Sequence, residues 1–299
     1  MTDRYAVIGN PVAHSLSPAI HAEFARQTGQ DIAYTKLHAE LGEFAAAVRQ
    51  FQAGGGKGLN VTVPFKREAC ELATRVSGRA QRAGAVNTLV FAGEGIAGDN
   101  TDGVGLVRDL QTNLGFEMGG RRVLILGAGG AARGIVAPLL EAGPAQLAIA
   151  NRTFETAKKL CGEFSPEVMI DAGSPTGNST QPRLTAHRLE ALPTEGFDLV
   201  INATSSSLTG ADLGLIESVF APDALAYDLM YGKGLTPFLG FAQHHGARVA
   251  DGLGMLVEQA AESFFIWRGV RPETQSVIAA IGGRARFAFG RPGYTSGRS

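Results

Sequence analysis

Lys66 carries the strongest chemical suggestion in this chain. It follows the apolar run 59–63 and stands two positions after Pro64, a proline placed to open a helix. That spacing puts its ammonium in the first turn of a helix, where a cation opposes the dipole. It also puts it at the carboxyl edge of a sheet, where open α/β sheets bind ligands. Both effects work against the charged form, which suits a group that gives and takes a proton. The plainer alternative is a solvated lysine beside Arg67. Asp102 ends the polar run Asp99-Asn100-Thr101-Asp102, serving either as a helix N-cap or as the ionic partner of Lys66. Asn87 falls inside an expected strand, 85–91, on the face of Ala85 and Leu89. A buried amide there is costly unless hydrogen-bonded, so it touches a ligand or supports a loop. Ser15 and Ser17 precede the helix opened by Pro18. Ser17 reads as its N-cap, and two hydroxyls beside a helix N-terminus would also hold a carboxylate. Gln259 interrupts the stripe Met255, Ser263, Ile266, as a ligand contact or a satisfied internal amide.

A second set of residues lies in 121–152. Residues 123–126 read as a buried strand and are followed by the turn Gly127-Ala128-Gly129-Gly130-Ala131 and a helix to Leu140. After Gly143-Pro144 comes a second strand, 147–150, that ends on Asn151-Arg152. The turn keeps the first two glycines of GxGxxG/A and has Ala132 in the third place. A strand–turn–helix of this kind offers backbone N–H groups to a pyrophosphate. Roughly 20 residues on, an acid would hold a ribose 2′-hydroxyl. Arg152 stands there instead, and a guanidinium suits a 2′-phosphate, which points to NADP(H) rather than NAD(H).

The elements that must position these residues follow from periodicity. Strands are expected at 5–8, 32–37, 59–63 and 85–91, with helices at 18–28, 41–53, from Pro64, and at 104–114. This makes a βαβαβ-type first domain. Beyond Arg152, helices are expected at 153–164, 236–245, 255–267 and 272–281, and strands at 197–201 and 225–227. Residues 165–194 form the loosest stretch, and the Arg/Gly-rich tail 283–299 lacks periodicity and is expected to be disordered. At 299 residues and 44% hydrophobic content, the chain can bury a large core in two domains. Its net charge of −1 exerts no pull toward nucleic acid or anionic membranes. No apolar run approaches the roughly 20 residues of a membrane helix, and no secretory segment opens the chain. Cys70 and Cys161 lack metal spacing and read as reduced thiols of a cytoplasmic protein. His14, His21, His38, His187, His244 and His245 show no metal pattern either, so no metal is expected.

Taken together, these segments resemble the shikimate dehydrogenase family. The matching stretches are GNPVAHSLSP at 9–18, GLNVTVPFK at 58–66, AGAVNTL at 83–89, GDNTDGVG at 98–105, GAGGAARG at 127–134, NRT at 151–153, INATS at 201–205 and DGLGMLVEQAA at 251–261. They run almost end to end and in order. The resemblance implies reversible NADPH-dependent reduction of 3-dehydroshikimate to shikimate, in aromatic amino-acid biosynthesis. It implies an α/β architecture in which an N-terminal substrate domain and a Rossmann-type NADP domain face each other across a cleft. The substrate domain would comprise 1–101 and 249–282, the NADP domain 102–248, with helix 255–267 packing back on the first domain. It carries over Lys66 and Asp102 as the catalytic pair. Ser15 and Ser17, with Tyr231 nearby, would take the substrate carboxylate; Thr62, Asn87, Asp102 and Gln259 would take the ring hydroxyls. Gly127, Ala128, Gly129, Gly130, Ala131, Asn151, Arg152 and Thr153 would hold the adenosine and phosphates of NADP, and Thr204, Met230 and Gly254 would lie along the nicotinamide. The implied protein is a monomer or homodimer. Ser207 departs from the family's glycine, and the 165–194 stretch and the tail are longer than usual. Two other readings are an NAD-tolerant quinate/shikimate dehydrogenase, which Arg152 opposes, and a non-catalytic NADP sensor, which would need neither Lys66 nor Asp102.

Overall fold

The computed structural model describes residues 2–164, 183–204, 213–232 and 234–282. Two six-stranded sheets organise it. The first is built from β1 (Asp3–Gly9), β2 (Ile32–His38), β3 (Gly56–Val61), β4 (Arg75–Val76), β5 (Thr88–Ala92) and β6 (Gly95–Asp99). Their order is β2-β1-β3-β5-β6-β4. Helices α1 (Ser17–Thr28), α2 (Phe44–Ala53), α3 (Lys66–Leu72) and α4 (Gly78–Ala83) connect them.

β1, α1, β2, α2 and β3 form the βαβαβ unit expected from the sequence, with all pairings parallel, and the strands that follow extend it differently. β5 and β6 form an antiparallel hairpin, and β5 also runs antiparallel to β3. The short turn at residues 93–94 permits only that hairpin, since parallel neighbours need a long crossover. Short β4 and α4 escaped the periodicity reading. Other boundaries move for local reasons. Leu41 is 73% exposed and precedes α2, which starts at Phe44. Pro64 lies before α3, which begins at Lys66 with Phe65 as its cap residue. Leu16, not Ser17, occupies the cap position of α1, and Ser17 is its first helical residue.

From the first sheet the chain enters α5 (Asp102–Arg108), continues through a single wide turn at Asp109–Asn113, and builds the second sheet. Its strands are β7 (Arg122–Leu126), β8 (Gln146–Asn151), β9 (Arg183–Arg188), β10 (Phe197–Asn202), β11 (Phe220–Asp228) and β12 (Arg248–Asp251). All pairings are parallel, in the order β12-β11-β10-β7-β8-β9, which is the doubly wound arrangement. β9 lies within the stretch read as loop; the structure makes it an edge strand, with Leu184, Thr185 and His187 buried. Residues 165–182 and the tail 283–299 lie outside the described residues. The strands are apolar on both faces. Val123 and Ile125 join one core with α6 (Gly130–Glu141), while Leu124 and Leu126 join another beneath α8 (Pro237–His244). α7 (Phe154–Phe164) follows β8.

After β12 the chain returns to the first sheet as α9 (Leu253–Arg268), followed by α10 (Gln275–Gly282). Val257, Ala260, Ala261 and Phe264 of α9 pack on Ile20 and Phe24 of α1. α9 also lies against α5 at Gly105, where a Cβ would come within 2.7 Å of the Gln259 backbone nitrogen. Among the described residues no helix is long and apolar enough to cross a membrane.

Candidate active site

Lys66 is the first residue of α3, anchored where its carbonyl accepts the Val86 N–H at 2.8 Å. Asp102 is the first residue of α5, where the dipole favours a carboxylate. The two helix starts face each other, and Lys66 Nζ donates to Asp102 Oδ2 at 2.6 Å. Of the two alternatives for Asp102, the structure selects the ion pair, since Thr101 holds the cap position. The pair is neither sealed nor free, with side chains 32% and 17% exposed.

Asn87 stands in a bend immediately before β5, with its backbone still bonded across the sheet to the Val61 N–H at 2.8 Å and the Asp99 carbonyl at 3.0 Å. Its amide nitrogen donates to Asp102 Oδ1 at 2.8 Å and to Thr101 Oγ1 at 2.9 Å, with Gln259 Oε1 at 3.3 Å. Its oxygen accepts from the Thr101 N–H and the Thr88 hydroxyl, both at 2.9 Å. Gln259 in turn donates to Leu256 O at 2.7 Å. The structure thus brings Lys66, Asp102, Asn87 and Gln259 into one hydrogen-bonded cluster.

Ser15 and Ser17 stand apart from it but are linked to each other, Ser15 Oγ donating to Ser17 Oγ at 3.1 Å. Tyr34, beside Ser17, donates to Asn60 Oδ1 at 2.7 Å. Asn60 donates to Ser263 Oγ at 3.0 Å and to the Asn87 carbonyl at 3.2 Å. A continuous polar path therefore runs from the serine pair to the lysine pair. Sequence reasoning missed Tyr34, Asn60 and Ser263. Asn60, a lone amide within the apolar run 59–63, was the available signal. Thr62 is half-buried beside Gly9, where a Cβ would meet its methyl at 2.4 Å. Tyr231 follows β11, and burial raises its hydroxyl above the usual range. No hydrogen bond among the described residues joins it to Ser15 or Ser17.

On the second sheet the strand ends converge at the switch between β7 and β10. Gly127 takes φ +100, and a Cβ there would lie 3.0 Å from the Thr204 methyl and 3.2 Å from Ala203 O. Only glycine meets both demands. Gly129 caps α6 without a side-chain partner, and around Gly129 and Gly130 nothing lies within 4 Å of a built Cβ. Ala128 is half-buried and Ala131 exposed. Open space therefore lies beside the first turn of α6, the kind of helix start whose backbone N–H groups can receive a phosphate. Asn151 bridges to the Thr153 carbonyl at 3.0 Å, and Arg152 is exposed with no ion pair among the described residues. The Met230 N–H binds Asp228 Oδ1 at 3.0 Å. Gly254 lies so close to Asp109 that a Cβ would overlap its carboxylate at 1.9 Å. Ser205 and Ser207 lie outside the described residues.

The two halves meet. A Cβ built on Gly134 of α6, one turn beyond the glycine turn, would lie 3.9 Å from Asp102 Oδ2. Gly103 touches the same helix, since its Cβ would come within 2.6 Å of Gly134 O.

Comparison with known proteins agrees with this geometry. The family model for the shikimate dehydrogenase substrate binding domain matches residues 7–89. The shikimate / quinate 5-dehydrogenase model matches 109–173, and the shikimate 5′-dehydrogenase C-terminal domain model matches 252–281. The chain is 57% identical over 282 residues to the shikimate dehydrogenase (NADP(+)) of Dechloromonas aromatica strain RCB, covering 94% of this chain and 98% of that protein. Among solved structures, an Ael1 enzyme from Pseudomonas putida is 50% identical with a TM-score of 0.85, covering 93% of this chain and 98% of that one. Shikimate 5-dehydrogenase from Thermus thermophilus, in complex with NADP(H) and shikimate, is 32% identical with a TM-score of 0.79, covering 95% and 100%. The chain belongs to the shikimate dehydrogenase family.

Proposed function

We propose that this protein catalyses the reversible NADPH-dependent reduction of 3-dehydroshikimate to shikimate. The observation that carries this reading is the Lys66–Asp102 pair, held at 2.6 Å and set against the helix that follows the glycine turn. NADPH, when bound, supplies the hydride. Gly127, Ala128, Gly129, Gly130 and Ala131 would hold its pyrophosphate, Asn151, Arg152 and Thr153 its adenosine phosphate, and Thr204, Met230 and Gly254 would flank the nicotinamide.

The ammonium of Lys66 donates a proton to the carbonyl oxygen as negative charge develops on it, and takes it back in the reverse direction. Such a positioned acid is worth roughly 10²–10⁴-fold. Asp102 holds that amine in place, and Asn87 fixes the carboxylate through its second oxygen. Thr62, Asn87, Asp102 and Gln259 would orient the ring hydroxyls. Ser15 and Ser17, with Tyr231, would receive the carboxylate. The division of labour is a substrate domain of 1–101 and 249–282 around an NADP domain of 102–248, with closure of the cleft excluding water. The two free thiols, Cys70 and Cys161, fit a cytoplasmic protein. Its partners are these small molecules, without nucleic acid or membrane, and it works as a monomer or homodimer.

Purified protein given shikimate and NADP⁺ is expected to generate NADPH absorbance, with NAD⁺ a much poorer substitute. A flat trace from folded protein on shikimate and on quinate would overturn the assignment.

A further inference from the structure

Arg188 is the last residue of β9 and pairs in register with Asn151, the last residue of β8. The Leu189 N–H binds the Asn151 carbonyl at 3.3 Å, which fixes this corner of the backbone. The Arg188 guanidinium lies over the ring of Phe154, the first residue of α7, 5.3 Å from its centroid. Arg152 is two residues before Phe154. Two guanidinium-bearing residues thus flank one helix N-terminus, where the dipole opposes cations. Among the described residues neither side chain forms an ion pair, although exposed Glu155 is in the first turn of the same helix. Arg133, by contrast, is paired with Glu163 at the far end of α7. A corner that gathers two unpaired cations and leaves its own acid unengaged is built for an external anion carrying more than one charge. A phosphate monoester carries about two at neutral pH.

We propose that Arg188 is a second specificity-determining residue for the 2′-phosphate of NADP(H), completing with Arg152 a two-arginine clamp. Arg152 alone leaves about half of a dianion unmatched. Arg188 supplies the remaining charge from the neighbouring strand, and the Phe154 ring holds its flat guanidinium ready at little entropic cost. This assignment rests on the NADP reading of the Asn151–Thr153 turn.

Isothermal titration with adenosine 2′,5′-bisphosphate and with 5′-AMP tests it without turnover. The intact chain is expected to bind the bisphosphate more tightly. Arg188→Ala should lose about tenfold on the bisphosphate, the lower range for a charge-assisted contact. Its affinity for 5′-AMP should be unchanged, and Arg188→Lys should keep most of the discrimination. Equal losses on both ligands, or no loss on either, would overturn the proposal. If Arg152→Ala abolishes discrimination while Arg188→Ala does not, only the Arg188 assignment falls. If the intact chain does not distinguish the two ligands, the NADP reading falls with it.

Discussion

Lys66 and Asp102 are each the first residue of a helix, and the same field acts on them with opposite sign. The α5 start favours a carboxylate and the α3 start disfavours a cation, and the two side chains meet at 2.6 Å. Replacing Lys66 by alanine removes the proton source and leaves Asn87 to hold Asp102. Lys66→Ala is therefore expected to lower kcat by roughly 10²–10⁴-fold with KM for shikimate little changed, as steady-state kinetics would show. A variant with near-normal turnover would remove Lys66 from the chemistry. Lys66 could be picked out from sequence because its local context, strand then proline then lysine, sets its place at the sheet edge. Asp102 was ambiguous there, since a cap and an ion-pair partner are drawn from the same short polar run. Only the 2.6 Å contact separates them.

Two helices meet at Gly105, and their separation sets where Gln259 stands relative to Asn87. A methyl there would contact both the backbone and the Cβ of Gln259 at 2.7 Å, so α5 and α9 must move apart. Gly105→Ala is expected to cost about 1–3 kcal/mol as overpacking, lowering Tm by several degrees, and to reduce kcat/KM with it. Gly129 is the contrasting case, with no atom near its Cβ position. Gly129→Ala should leave Tm unchanged and raise KM for NADPH, because the methyl fills space meant for the cofactor. Thermal melts paired with kinetics separate the two outcomes. At this scale the inner strands of the second sheet, β7, β8, β10 and β11, were legible, because strands buried on both faces appear as continuous apolar runs. Its edge strands, β9 and β12, were not. In the first sheet the βαβαβ unit was legible, but the antiparallel pairing of β5 with β3 was not, and α4 spans only Gly78–Ala83, too short to show a period.

The whole molecule is bound at its C-terminal helix by groups that answer to pH. Glu262 of α9 would be raised by burial, yet hydrogen bonds and charge from Arg108, Arg271 and Arg79 bring its carboxyl down to about 2. These arginines come from α4, α5 and the segment after α9. His21 of α1 is fully buried, stacked on Tyr34 at 4.1 Å, and both ring nitrogens lack a hydrogen-bond partner. Burial pushes it from 6.5 down to about 3, against the opposing influence of the Asn60 side chain. The unfolded chain therefore takes up a proton that the folded one refuses. The stability this confers is complete above about pH 6.5 and is lost as pH falls toward 3. Denaturant titrations should show a decline of up to about 1.4 kcal/mol per pH unit from this one site. His21→Phe should flatten that slope between pH 6 and 4.5, above the range where Glu262 titrates; an unchanged slope would exclude His21 as the origin. The sequence by itself determined the glycine turn after a buried strand, the arginine at the end of the next strand and the lysine at the start of a helix, because each is encoded within a few adjacent positions. Tertiary structure alone decided that Asp102 serves Lys66 and that Asn60, Tyr34 and Ser263 link the serine pair to it. It alone also brought Arg188 beside Asn151. Those contacts join residues as far as 203 positions apart, and only the folding of two sheets and one returning helix brings them within reach.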